Sequence, residues 1–110
     1  MPIDAADGEV MTDQFIRYVV LLSHAKPERL SEELVRAHVA HLKRLEDDGR
    51  LQLAGPFAAN KGGMFIHRDC SEKEAHAIAE ADPFVSSGAE TYELRKLEVS
   101  CRENNHLGMG

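Results

Sequence analysis

An apolar run near the N-terminus, Phe15 to Leu22 (FIRYVVLL), is the feature that most narrows the possible folds of this chain. The run is almost unbroken and rich in β-branched residues, which is the pattern of a strand covered on both faces. A chain of 110 residues is expected to form one compact domain that buries only about two-thirds of its unfolded surface. Association with a second copy, and a pocket shared between copies, would therefore stabilise it.

Four strands and two helices are predicted along the chain. The strands span residues 15–22, 51–57, 64–68 and 91–99, and the helices span residues 31–48 and 71–81. The first helix ends at Gly49, which suits the left-handed position after a helix. The second begins with a capping box, Ser71-x-x-Glu74, and ends because Pro83 pushes the preceding residue out of the helical region.

The element order β-α-β-β-α-β predicts an α+β fold, a ferredoxin-like sandwich with an antiparallel sheet and both helices on one face. Alternation in the last strand changes phase between Leu94 and Leu97, which predicts a bulge or a bend there. Residues 1–12 are predicted to be a flexible arm, residues 13–100 the single domain, and residues 101–110 a disordered polar tail.

The charge and the apolar content of the chain limit its partners. A net charge of -6 without a basic face argues against nucleic acid and against an anionic membrane. No apolar run approaches the roughly 20 residues of a membrane span, and the N-terminus lacks the apolar core of a secretory leader. Cys70 and Cys101 lie far apart without CxxC spacing. We therefore expect a cytoplasmic protein with two free thiols and a small-molecule ligand.

His38 and Asp82 are the strongest candidates for a site. On a helical wheel His38 lies in the middle of the apolar stripe that faces the sheet, whereas His41 lies at its edge. A buried histidine needs a partner for at least one ring nitrogen, so His38 is either a core residue bonded to a backbone carbonyl or a functional one. Asp82 can cap a helical turn that starts at Pro83. The two helices run antiparallel in this fold, so His38 and Asp82 could also converge, directly or through a ligand.

The other histidines are weaker candidates. His24 and His106 are predicted to lie in a loop and in the tail, His76 to be solvated, and His67 to have a surface or supporting role on a strand. No set of histidines, cysteines and carboxylates has the spacing of a metal site, and no phosphate-loop or nucleophile motif is present. We therefore expect neither a metal nor a cofactor.

Three segments taken together resemble the YCII-related family: RAHVAHLKRLEDDGRL at 36–51, LAGPF at 53–57 and SEKEAHAIAEADPFVSSG at 71–88. The family pattern is a helical histidine eleven residues before a glycine, an A-G-P strand end and a D-P-F motif. His38 fits this pattern with Gly49, and His41 does not. The resemblance covers about residues 14–99. It implies a dimeric α/β barrel similar to muconolactone isomerase, hence a homodimer or a higher oligomer, and a site around His38 and Asp82.

Two functions remain open at this point. The first is a cofactor-free lyase or isomerase that moves protons on a small cyclic or aromatic metabolite, with His38 as general acid/base and Asp82 orienting its ring. The predicted substrate-binding residues are Gly55, Phe57, Pro83 and Phe84. The second is a non-catalytic module that binds a metabolite or a protein partner. A solvent-connected cavity beside His38 and within reach of Asp82 would favour the enzyme.

Overall fold

The computed structural model describes residues 14–24, 26–58 and 62–110, so the predicted arm at residues 1–12 lies outside the described part of the chain. The elements follow the predicted order, with bounds within about two residues of those expected. In chain order they are β1 (Ile16–His24), a 3-10 turn (Pro27–Arg29), α1 (Glu32–Asp47), β2 (Leu51–Pro56), β3 (Gly63–His67), α2 (Glu72–Ala81), α3 (Pro83–Ser86), β4 (Glu90–Glu98), a second 3-10 turn (Arg102–Asn104) and α4 (Asn105–Gly108).

The four strands form one sheet in the order β2-β3-β1-β4, and every neighbouring pair is antiparallel. This is the ferredoxin-like arrangement, so the predicted fold class is confirmed. The helices cover one face of the sheet. Leu42 of α1, Ala79 of α2 and Phe84 of α3 all pack on the cluster that contains Val20 of β1 and Phe65 of β3.

The central strand β1 is covered differently on its two faces. Its buried residues are Ile16, Tyr18, Val20 and Leu22, and the intervening residues as far as Leu21 are only half-buried. Because strand side chains alternate between faces, the buried set faces the helices and the other set faces away from them. The apolar run predicts that both faces of β1 are buried. It does not predict whether the same chain or a second copy covers each face. Within the described part of the chain, the helices lie on one face alone.

Local sequence signals set the ends of the helices as predicted. The Ser31 hydroxyl accepts a hydrogen bond from the backbone N–H of Leu34 at 3.1 Å, and Gly49 ends α1 with a φ of +75°. At the start of α2, Ser71 and Glu74 bond reciprocally, at 3.1 Å and 2.8 Å, and complete the capping box. Each of these signals acts within one turn, so it does not depend on the rest of the fold.

The bulge predicted in the last strand is absent. β4 pairs with β1 in one continuous register, from His24 opposite Glu90 to the far end of the strand. Leu97 breaks the alternation of apolar residues in the sequence because it lies on the face away from the helices, where it is 43% exposed. The irregularity lies instead in β2, between Leu51 and Leu53, where the pairing with β3 shifts.

The predicted disordered tail is folded into a 3-10 turn followed by a left-handed turn, in which Asn105, His106 and Leu107 all have positive φ. The side chain of Asn104 holds them together, because its Oδ1 accepts from the backbone N–H groups of Cys101 and Leu107. Its Nδ2 donates to the carbonyl of Val99 at 2.7 Å. The low apolar content of the tail predicts solvent exposure correctly, but one asparagine supplies enough local hydrogen bonds to order the backbone.

Candidate active site

His38 and Asp82 meet directly above the sheet. The Nδ1 atom of His38, on α1, lies 2.9 Å from Oδ1 and 3.0 Å from Oδ2 of Asp82, at the end of α2. The Asp82 side chain is fully buried, and the His38 side chain is 11% exposed. A carboxylate accepts, so the Nδ1–H group donates. The predicted convergence of the two helices therefore takes the form of a hydrogen-bonded pair.

Asp82 also caps a helix, so it is at once the cap of α3 and the hydrogen-bond partner of His38. Its Oδ1 accepts a hydrogen bond of 2.8 Å from the backbone N–H of Phe84, and Pro83 occupies the first turn of α3. This capping bond gives the carboxylate a second fixed partner beside the imidazole, on the same oxygen Oδ1. The short turn after α2 thus holds Asp82 rigidly while it faces His38.

The imidazole of His38 is held by aromatic contacts as well. The ring of Phe84 stacks on it with centroids 3.9 Å apart and an interplanar angle of 10°, and Phe65 lies at 5.6 Å. Nδ1 is committed to Asp82, which makes Nε2 the acceptor nitrogen of the neutral ring. No residue in the described ranges forms a hydrogen bond with this Nε2. The ring is therefore fixed in orientation with one nitrogen available.

A cavity of about 540 Å³ opens beside this pair. Its walls come from β1, α1, α3 and the β2–β3 hairpin, and most of its lining is apolar. The lining residues are Leu22, His24, Leu30, Val35, His38, Val39, Leu42, Ala54, Gly55, Pro56, Gly62, Gly63, Phe65, Phe84 and Glu90. Of the predicted substrate-binding residues, Gly55 and Phe84 belong to this lining. Phe57 and Pro83 do not, and Phe57 is 45% exposed.

The hairpin reaches the cavity through a close backbone approach. Gly62 has a φ of +92°, and a Cβ atom there would clash with the carbonyl oxygen of Leu22. A Cβ atom on Gly63 would lie 2.6 Å from the carbonyl oxygen of Gly55. The two glycines therefore let the hairpin fold tightly against the end of β1, which forms one wall of the cavity.

A second histidine–carboxylate pair lines the same cavity, and the sequence did not predict it. His24 and Glu90 face each other across β1 and β4, with Nε2 of His24 3.0 Å from Oε2 of Glu90. The Glu90 side chain is only 4% exposed, and burial raises its pKa against the opposing charges of His24 and His38. Its other oxygen, Oε1, is shut off from solvent and has no hydrogen-bond partner among the described residues.

The remaining buried histidines belong to the packing beneath the site. His41 is 8% exposed and donates from Nε2 to the carbonyl oxygen of Ile78 at 3.2 Å, a structural bond between α1 and α2. His67 was expected on a surface or in a supporting role, and it is fully buried on the helix-facing side of β3. Burial lowers its pKa to about 4, although the backbone of Arg50 and the charge of Asp82 oppose this.

His76, expected to be solvated, is 44% exposed and is bonded at the surface of α2. Its Nδ1 lies 2.9 Å from the hydroxyl oxygen of Tyr92, and that hydroxyl donates to Glu80. Within the described ranges, no group of three histidine, cysteine, aspartate or glutamate side chains is placed to hold a metal ion. None of the helices described combines the length and the apolar character needed to cross a membrane.

Comparison with known proteins adds a family and a fold. The family model described as the YCII-related domain matches residues 17–98. The uncharacterised protein YjpA of Bacillus subtilis is 33% identical over 82 residues, which span 74% of this chain and 96% of YjpA. Protein YciI of Escherichia coli is 37% identical over 81 residues, which span 63% of this chain and 83% of YciI.

Among solved structures, the fold matches that of a dehydrochlorinase. This is 5-chloro-2-hydroxyhydroquinone dehydrochlorinase (TftG) from Burkholderia phenoliruptrix, in complex with 2,5-dihydroxybenzoquinone. The TM-score is 0.54 at 20% identity, and the match covers 74% of this chain and 93% of the other. At this identity the likeness establishes the shared fold.

Proposed function

This chain belongs to the YCII-related family, and on that premise we propose that it is a cofactor-free enzyme of the lyase or isomerase type. Its substrate is a small cyclic or aromatic molecule, on which His38 acts as general acid and base. One observation carries the proposal: the imidazole of His38 is fixed through Nδ1 by the buried carboxylate of Asp82 and lines a cavity that is large enough for a small ring.

The geometry supports proton transfer by His38 and an orienting role for Asp82. When Asp82 accepts from Nδ1–H, the lone pair of the ring lies on Nε2, which then takes a proton from the substrate. The imidazolium that forms is stabilised by the adjacent carboxylate group of Asp82, which also holds the tautomer. Nε2 then returns the proton at a second position or to a leaving group. Positioned acid–base catalysis of this kind contributes roughly 10²- to 10⁴-fold to a rate.

The aromatic and apolar lining of the cavity favours a ring-shaped substrate. Phe84 and Phe65 present aromatic faces beside the imidazole, and Leu22, Val35 and Val39 supply further apolar surface. A flat ring fits between such walls with its polar substituents directed at the few polar groups. The solved structure of similar fold is a dehydrochlorinase in complex with a dihydroxybenzoquinone, which is consistent with this substrate class.

A turnover screen tests the proposal. Catechols, hydroquinones and their chlorinated derivatives are incubated with the wild type, with His38→Gln and with His106→Gln, and products are followed by mass spectrometry. His106 is an exposed tail residue, so its variant is the matched control. We expect turnover by the wild type and by His106→Gln, and a loss of at least about 100-fold in His38→Gln. Unchanged turnover in His38→Gln would contradict the proposal, and so would ligand binding without turnover, which indicates a binding module.

We further propose that two copies pack through the face of the sheet that lies away from the helices. Val19, Leu21 and Ile66 are half-buried on this face, and Leu97 is 43% exposed. Light scattering after size exclusion tests this with Leu97→Glu, against Met109→Glu in the exposed tail as control. We expect a dimer for the wild type and the control, and a monomer for Leu97→Glu. A monomeric wild type would contradict the proposal.

We also propose a reducing, cytoplasmic location, and the two thiols support it. Cys70 and Cys101 are both free, and burial is the main cause that raises the pKa of Cys70. A thiol of this kind is slow to oxidise. Cell fractionation tests the location, with recovery in a secreted or a membrane fraction as the contradicting result.

A further inference from the structure

The cavity contains an imidazole–carboxylate pair that the proposed proton transfer by His38 does not use. His24 and Glu90 are opposite one another in the β1–β4 pairing, and both line the cavity. The pair is 3.0 Å apart, and the His24 side chain is 23% exposed. The charges of His38 and Asp82 both affect the pKa of Glu90, so the two pairs are electrostatically coupled.

The burial of the Glu90 carboxylate lowers the stability of the fold, which indicates that the residue is kept for a function. Its side chain is 4% exposed, and Oε1 has no hydrogen-bond partner among the residues that the structure describes. A buried carboxylate with an unused oxygen destabilises a fold relative to an apolar residue of similar volume. The one side chain that Glu90 binds in the described ranges is His24. The residue therefore serves to hold this imidazole at the wall of the cavity.

The pair also determines which nitrogen of His24 is available. Nε2 of His24 lies 3.0 Å from Oε2 of Glu90 as an ion pair, and a carboxylate favours a proton on the nitrogen that faces it. The neutral ring then has its lone pair on Nδ1, for which no described residue provides a partner. His38 has the same arrangement with the two nitrogens exchanged, since its Nδ1 donates to Asp82. The apolar cavity thus offers two acceptor nitrogens, each on an imidazole fixed by a buried carboxylate.

We propose that His24 is a second ligand-binding residue, positioned by Glu90, and that the ligand is a small ring with two hydroxyl groups, one for each imidazole. This rests on the proposed function, because it places the substrate in the cavity beside His38. Two acceptor nitrogens select O–H donors, and each hydrogen bond is made in an apolar surrounding where an unpaired donor is disfavoured.

Binding measurements on matched ligands test the proposal without requiring turnover. Catechol, resorcinol and hydroquinone are each compared with their monomethyl ether by calorimetry under anaerobic conditions. The ether keeps the ring and both oxygens but loses one O–H donor. We expect at least one of the diols to bind about tenfold more tightly than its ether. In His24→Phe the two affinities should become equal, and in the matched control His106→Phe the difference should remain.

The positioning role of Glu90 has its own readout. Imidazole ¹⁵N NMR of the wild type should show His24 as the Nε2–H tautomer, with a change at Nδ1 when the preferred diol is added. Glu90→Leu should give a mixture of tautomers at His24 and weaken diol binding, while His38, which Asp82 fixes through Nδ1, keeps its Nδ1–H tautomer. Glu93→Gln is the control, since Glu93 is an exposed carboxylate on the same strand.

The possible outcomes separate this proposal from the proposed function. It is overturned if no diol binds, if each diol and its ether bind equally, or if the preference survives in His24→Phe. If His24→Phe does not fold, the wild-type ¹⁵N change at Nδ1 decides, and its absence also overturns the proposal. A preference that depends on His24, in a protein that turns over no compound, supports this proposal and contradicts the proposed function.

Discussion

Both carboxylate oxygens of Asp82 lie within 3.0 Å of Nδ1 of His38, and one of them also accepts the backbone N–H of Phe84. One side chain therefore sets the tautomer of an imidazole and caps a helix. The two roles differ in the atoms they use, since the cap uses Oδ1 alone and the imidazole contacts both oxygens. Substitutions at Asp82 can separate them.

Asp82→Asn should keep the cap and reverse the tautomer. The single oxygen of the amide remains on the N–H of Phe84, so the NH₂ group takes the position of Oδ2, 3.0 Å from Nδ1 of His38, where a donor favours an accepting Nδ1. The proton moves to Nε2, and His38 can no longer act as a base from the nitrogen that is free in the wild type. Imidazole ¹⁵N NMR should show this exchange, and turnover should fall by at least about 100-fold.

The cap itself is tested by Asp82→Ala beside Asp82→Asn. Loss of the capping oxygen should cost about 1 kcal/mol of unfolding free energy in urea titrations, in addition to the cost of the unpaired imidazole. The asparagine variant should be the more stable of the two. Equal stability would mean that the bond to the N–H of Phe84 does not cap α3.

Gly62→Ala should be far more damaging than Gly49→Ala, although both positions have positive φ. A Cβ at Gly49 has open space around it, so only the left-handed backbone is unfavourable, at about 1 kcal/mol. A Cβ at Gly62 also clashes with the carbonyl of Leu22, which forces the hairpin away from β1 and should raise the loss to roughly 3 kcal/mol or more. Urea unfolding of the two variants measures both losses. Similar losses would contradict the close approach of hairpin and strand.

Local and periodic signals account for what the sequence could predict. Ser31 and Ser71 act within one helical turn, and the 3.6-residue period places His38 on the sheet-facing side of α1. The contact between His38 and Asp82 followed because antiparallel helices bring two known positions together. Each of these inferences depends either on residues that are neighbours in sequence or on the order and direction of the elements. None of them depends on the register between strands.

The pairing of His24 with Glu90 needed information of a different kind. The two residues are far apart in sequence and meet because β1 extends to His24 and pairs in register with β4. A shift of one residue in this pairing would turn the side chains of one strand to the opposite face, so that His24 and Glu90 would no longer meet. The apolar run of β1 ends at Leu22, and this pattern predicts a loop at His24. The sequence does not predict the register between β1 and β4. The prediction of a bulge near Leu97 was wrong for the same reason.

Ser71→Ala tests the capping box at the start of α2. The hydroxyl accepts from the N–H of Glu74, and Glu74 returns the bond to the N–H of Ser71. Removing the hydroxyl leaves one helical N–H without its partner, and the unfolding free energy should drop by about 1 kcal/mol. Ser23→Ala is a suitable control, because Ser23 is exposed on a strand. A loss no larger than that of the control would contradict a capping role.

The burial of His67 predicts a specific loss of stability in mild acid. Its pKa is about 4 in the folded protein and about 6.5 when unfolded, because burial disfavours the charged ring. Above pH 6.5 the ring is neutral in both states and has no effect. As the pH falls from 6.5 to 4, only the unfolded state takes up the proton, so stability is lost progressively, by at most about 3 kcal/mol.

His67→Gln should remove this pH dependence, since glutamine does not titrate. Urea unfolding at pH 7 and pH 4.5 gives the change in unfolding free energy for the wild type, for His67→Gln and for His106→Gln, an exposed control. The comparison uses the difference between the two pH values, so a general loss of stability in the variant does not affect it. We expect the acid-induced loss to shrink by about 2 kcal/mol or more in His67→Gln alone. An equal loss in all three proteins would mean that His67 takes up a proton in the folded state as readily as in the unfolded one, and would contradict the lowered pKa.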